Sequence, residues 1–77
     1  MQIVTKDGQR YSGQPREIVT ALRVTSWTAA AYPDNAEYRR VVADRAKMWN
    51  GAEVRTDDDR HWLADLEKAG LLTVEME

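Results

Sequence analysis

The chain has no cysteine, no phenylalanine, two prolines, four glycines and a single histidine among its 77 residues. Without cysteine there can be no disulfide, no thiol nucleophile and no Cys-based zinc site. Proline and glycine are too sparse and scattered to make a linker or a low-complexity tract, and no internal repeat is evident. No apolar run approaches the roughly 20 residues that span a bilayer. Residues 1–6 (MQIVTK) show no basic leader followed by an apolar stretch, so no secretion signal is expected and the cytoplasm is the expected location. What is present is ordinary for a folded chain: 43% hydrophobic and 31% charged residues, with 11 Lys+Arg against 13 Asp+Glu for a formal charge of −2. The length allows one small domain whose net stability is only several kcal/mol. A core of this size favours a binding role over an enzyme with a deep, desolvated pocket.

The periodicity predicts an α+β domain of order ββαααβ. Residues 2–12 read as a hairpin, with Asp7-Gly8 as the two central residues of a type I′ turn. That register pairs Val4 with Tyr11 on one face and puts Ile3 on the other. Gln14-Pro15-Arg16-Glu17 begins a helix, with proline in the first turn and a carboxylate at the positive end. Ile18, Val19 and Leu22 form its buried stripe, and Val24 and Trp27 extend it. Residues 28–32 fit either a frayed last turn or a loop, and Pro33 sets a boundary. Asp34 opens a second helix with Glu37 at capping-box spacing. Its apolar face comprises Tyr38, Val41, Val42, Ala46, Met48 and Trp49, and Asn50-Gly51 stops it. Thr56 is the expected N-cap of a third helix, with Asp57, Asp58 and Asp59 in its first turn. Trp62, Leu63, Leu66 and Ala69 make its inner face, Gly70 ends it, and Val54 in the preceding connector plugs the core. Residues 71–76 then read as a strand with Leu72, Val74 and Met76 on one side. A lone hairpin is marginal in water, so this strand is the natural third member of a three-stranded antiparallel sheet backed by the three helices.

Two segments, MQIVTKDG…YSGQPREIV at residues 1–19 and WLADLEKAGLL at residues 62–72, resemble a family of short, functionally uncharacterised bacterial, phage or plasmid proteins. In that family an Asp-Gly hairpin leads into a helix, and a leucine–acidic–alanine–glycine–leucine ending closes the domain. The resemblance covers nearly the whole chain and rests on turns, caps and core positions. It therefore implies no catalytic residues. It does imply a setting in which small accessory proteins of mobile elements bind host machinery, anti-CRISPR inhibitors being one example by analogy of size and setting.

Catalytic and metal chemistry find little support in the residues. His61 follows Asp57, Asp58 and Asp59, and a metal reading would recruit it with Asp57 or Asp58. An acid-rich helix start needs only the helix dipole, and the run lacks the spacing and turn glycine of a calcium loop. Neither Ser12 nor Ser26 sits in a Gly-x-Ser-x-Gly elbow. Gly8 and Gly13 lack the Gly-Lys-Ser/Thr ending of a phosphate loop. No enzyme, metal or cofactor is expected.

Charge divides the chain. Residues 1–52 carry eight basic and five acidic side chains, whereas residues 53–77 carry three basic and eight acidic ones. The acidic third, with Glu53, Asp57, Asp58, Asp59, Asp65, Glu67 and Glu75, suggests a negative face for a basic protein partner, with Trp27 and Tyr32 as aromatic anchors. Such a face suits an inhibitor that occupies a nucleic-acid channel. The alternative is a small winged-helix-like DNA-binding protein whose second helix offers Arg39, Arg40 and Lys47, because the third would lead into the major groove with three aspartates. Stacking on single strands would need exposed aromatics among basic residues. Trp27, Tyr32 and Trp49 exceed what so small a core must bury, which also makes a homodimer an expected possibility.

Overall fold

The computed structural model describes residues 1–25 and 32–76, Met76 by its backbone only. The elements are β1 (Gln2–Thr5), β2 (Arg10–Ser12), α1 (Pro15–Thr25), α2 (Asn35–Asn50), α3 (Asp59–Lys68) and β3 (Leu72–Met76). They build an α+β domain of order ββαααβ. Its antiparallel sheet runs β2-β1-β3, so the closing strand joins the opening hairpin along the free edge of β1. Trp27 and most of residues 28–32 lie outside the described residues.

The hairpin register differs from the expected one. Ile3 pairs with Tyr11 and Val4 with Arg10, because the loop has three residues, Lys6-Asp7-Gly8, rather than two. Gly8 N–H donates to the Thr5 carbonyl at 3.0 Å and Thr5 N–H to the Gln9 carbonyl at 2.9 Å. Only Gly8 takes a positive φ (87°), as in a type I turn closed by a left-handed glycine. The Thr5 hydroxyl holds this turn by donating to Asp7 while accepting from Gln9 N–H at 3.2 Å. A shift of one residue exchanges the faces of a strand. Tyr11 accordingly joins the face of the fully buried Ile3, and Val4 shares the opposite face with Arg10.

Helix ends follow local chemistry. Glu17 accepts from Gln14 N–H at 2.8 Å, half a capping box in front of Pro15. Asp34 caps α2 by accepting from Glu37 N–H at 2.9 Å. The cap of α3 is Asp58, which accepts from His61 N–H at 2.7 Å, and not Thr56. A carboxylate two residues nearer the helix satisfies the free donors, and the Thr56 carbonyl instead accepts from Arg39 Nε at 3.4 Å. At the far end Gly70 (φ 78°) donates to the Glu67 carbonyl, and Leu71 N–H reaches back to Leu66. That paired pattern ends the helix and turns the chain into β3.

The core cluster is Ile3, Ile18, Val19, Trp62, Leu63, Leu66 and Leu72, with Tyr11, Tyr38, Val42, Val54 and Leu71 packed around it. Trp62 is fully buried, and its indole N–H donates to the Arg39 carbonyl at 3.1 Å, which ties α3 to the second turn of α2. Tyr38 bridges outward from it, tilted against Trp62 at 5.8 Å and edge-on to Tyr32 at 5.2 Å. Val24 is 56% exposed, so it does not extend the inner stripe of α1.

Candidate functional site

Most of the charged side chains singled out in the sequence are engaged within the fold. Asp65 is buried, and it accepts from Arg55 three times: from the backbone N–H at 2.8 Å, Nε at 2.9 Å and Nη2 at 3.0 Å. These bonds, those of the guanidinium first, hold its carboxyl down at about 2. They also tie the connector between α2 and α3 to the body. Asp65 is therefore no part of an outward acidic face. Asp59 and Arg39 pair with each other across α3 and α2, their side chains only 16% and 13% exposed. The Arg39 guanidinium is thus turned onto α3 and largely covered. Arg40 is exposed but pairs with Glu37, and Lys47 lies 3.5 Å from Glu53. Glu75 binds Arg10 at 2.7 Å across the sheet, and Glu67 accepts from Val74 N–H at 2.9 Å.

Asp57, Asp58 and His61 do converge, their ligand-type atoms lying within 4.8 Å of one another. Asp57 meets His61 Nδ1 at 2.8 Å, a hydrogen bond that draws the Asp57 carboxyl below the usual range. Asp58 serves as the helix cap. The group is an exposed, internally hydrogen-bonded helix start.

The aromatic anchors also fall differently. Tyr32 is 5% exposed and locked on Tyr38, which removes it from the surface. Burial, with Tyr32 and Tyr11 nearby, raises the Tyr38 phenol above its ordinary value, and Arg45 opposes that rise. Among the described residues the exposed aromatic is Trp49, 75% accessible, beside Met48 at 77%. The spacing puts both on the apolar face of α2, and Trp49 is also among the aromatics expected to exceed what the core must bury. The helix instead buries its small residues, Ala43 and Ala46, against the rest of the protein. At 16 residues it is about 24 Å long, against about 15 Å for the ten residues of α3, and residues 47–50 are all exposed.

An open groove of about 210 Å³ lies where α2 meets the turn after α3, lined by Val42, Arg45, Ala46, Trp49, Asn50 and Leu71. Helical spacing puts Val42, Arg45 and Trp49 on one flank of α2, with Val41 and Met48 beside them. The volume falls short of the roughly 300–1,000 Å³ usual for small-molecule sites and suits a side chain from a partner. Arg45 stands at the rim. Among the described residues it is the α2 cation with no carboxylate in salt-bridge reach, since Arg39, Arg40 and Lys47 each have one. The sequence signal for the groove was the Met48-Trp49 pair just before the Asn50-Gly51 stop, where large apolar residues follow the small ones that meet the core. Compared with family models, curated proteins and solved structures, the chain matches none. Among the described residues no helix is long and apolar enough to cross a membrane.

Proposed function

We propose that this chain is a non-enzymatic binding domain that docks on a partner protein through the groove at the carboxyl end of α2. The observation that carries this reading is the exposure of Trp49 and Met48 beside a groove floored by Val42, Ala46 and Leu71. Large side chains left in water on so small a domain mark an interaction surface, and tryptophan is prominent among the residues that dominate interface energies. The acidic surface around Asp57 and Asp58 is the weaker candidate, because its carboxylates already serve a cap and a histidine contact. The DNA reading loses support with Arg39 folded onto Asp59.

A photocrosslinking residue at position 48, introduced in the cell that makes the protein, tests this. The expected result is a discrete protein adduct that disappears when Trp49→Glu is added. Adducts indifferent to Trp49→Glu, or adducts to nucleic acid, would refute the reading.

A further inference from the structure

We infer that the partner segment is acidic and amphipathic, placing an apolar side chain in the Trp49 groove and a carboxylate against the Arg45 guanidinium. The inference rests on the docking reading above and adds the chemistry of what docks. The first support is charge. Of the cations in residues 35–50, Arg39, Arg40 and Lys47 are matched by Asp59, Glu37 and Glu53. Within that helix Arg45 is the cation left unmatched among the described residues, and it stands at the rim of an otherwise mainly apolar groove. A partner that covers the groove desolvates this guanidinium, and burying a charge is costly unless it is paired. A carboxylate meets that need, and a guanidinium fits it in a two-pronged geometry.

The second support concerns a second copy of this chain. A stable dimer buries about 800 Å² on each partner. That is about one sixth of the 5003 Å² surface, far more than a single side-chain groove offers. A two-fold contact centred on the groove would also set Arg45 against its own copy, and like charges across an interface are repulsive. An acidic segment avoids both difficulties. Leucine-like residues at helical i, i+3, i+4 spacing would match the flank formed by Val42, Arg45 and Trp49.

The test uses the full chain and three synthetic peptides of roughly 12 residues, with leucine at i, i+3, i+4 and i+7 and the other positions filled by Glu, Gln or Lys. Binding is read by anisotropy of a label on the peptide. The Glu peptide is expected to bind roughly tenfold tighter than the Lys peptide, the size of one charge-assisted hydrogen bond at a partly desolvated rim. Arg45→Glu should reverse that order, and Trp49→Glu or Met48→Glu should abolish binding of all three. These positions are exposed, and circular dichroism verifies that the variants remain folded. If the Trp49 dependence persists while Gln or Lys peptides bind as well as Glu, the acidic inference falls and the docking site stands. If no peptide binds, or if binding ignores Trp49→Glu and Met48→Glu, both fall. An oligothymidine strand that displaces the Glu peptide would assign the groove to nucleic acid. A dimer in sedimentation that Trp49→Glu dissolves would assign it to a second copy. Either result overturns the inference.

Discussion

Replacing Asp65 by asparagine should cost stability at neutral pH and almost none in acid. In the folded chain its carboxylate accepts three hydrogen bonds from Arg55, one of them from the backbone. The carboxyl titrates at about 2 in the fold, against an ordinary value of 3.8. At about 1.4 kcal/mol per pKa unit, that difference sets a ceiling of about 2 kcal/mol. The Arg55 side chain is 56% exposed, so solvent competes for the guanidinium and lowers the expected figure to about 1–2 kcal/mol. The sign follows from the depressed pKa: the contribution is complete above the unfolded value near 3.8 and is lost as the pH falls through about 2. Urea unfolding of the wild type and Asp65→Asn at pH 7 and pH 1.5, below the folded value, measures the difference at each end. It should shrink toward zero in acid, where both side chains are neutral. A penalty of the same size at both pH values would show that shape and not charge holds the connector, and no penalty at pH 7 would refute the role of Asp65 altogether.

Trp62→Ala removes the largest fully buried side chain among the described residues and the indole bond to Arg39, at a cost of about 3–5 kcal/mol. In a domain of this size that should abolish cooperative thermal unfolding monitored by circular dichroism. Arg39→Ala leaves Asp59 covered and unpaired and should cost about 2–3 kcal/mol, with Asp59→Asn partly restoring stability in the double variant. Gly70→Ala forces a side chain into a left-handed turn and should lower stability by about 1 kcal/mol in urea without changing the spectrum of the fold. Trp49→Ala, at an exposed position, should alter stability by no more than about 0.5 kcal/mol while removing partner binding, a split readable by comparing urea midpoints with crosslinking yield.

The elements were legible wherever the determining chemistry is local. Asp34 and Glu37, Pro15 and Glu17, and Gly70 act within a few residues of themselves, and the helices they bound fall where the spacing puts them. The closing strand was legible because a hairpin needs a third partner. The register was not. Asp-Gly is compatible with a two-residue and a three-residue loop, and the choice depends on whether Thr5 closes the turn with its side chain. Here the Thr5 hydroxyl engages both Asp7 and Gln9, which selects the longer loop and makes Ile3 instead of Val4 the partner of Tyr11. The α3 start shifted for a similar reason, since three consecutive aspartates all favour a helix N-terminus and only geometry shows which one accepts the free N–H.

The binding surface was harder to read than the fold, because charge composition counts residues and not partners. Seven acidic side chains in the last third suggested a negative face, yet Asp65 and Arg55 meet across ten residues, Asp59 and Arg39 across twenty, and Glu75 and Arg10 across sixty-five. Pairings at such separations are properties of the fold, and each removes two groups from any tally of free charge. The same folding leaves Arg45 unmatched among the described residues and carries Trp49 past the edge of the core, because α2 meets the body through Tyr38, Val42, Ala43 and Ala46 and its last turn, residues 47–50, overhangs it. An unmatched cation beside exposed apolar surface is more specific than a cluster of like charges. A solvated acidic patch can remain in water at little cost, whereas the groove gains only from a partner that covers the indole and supplies a carboxylate together.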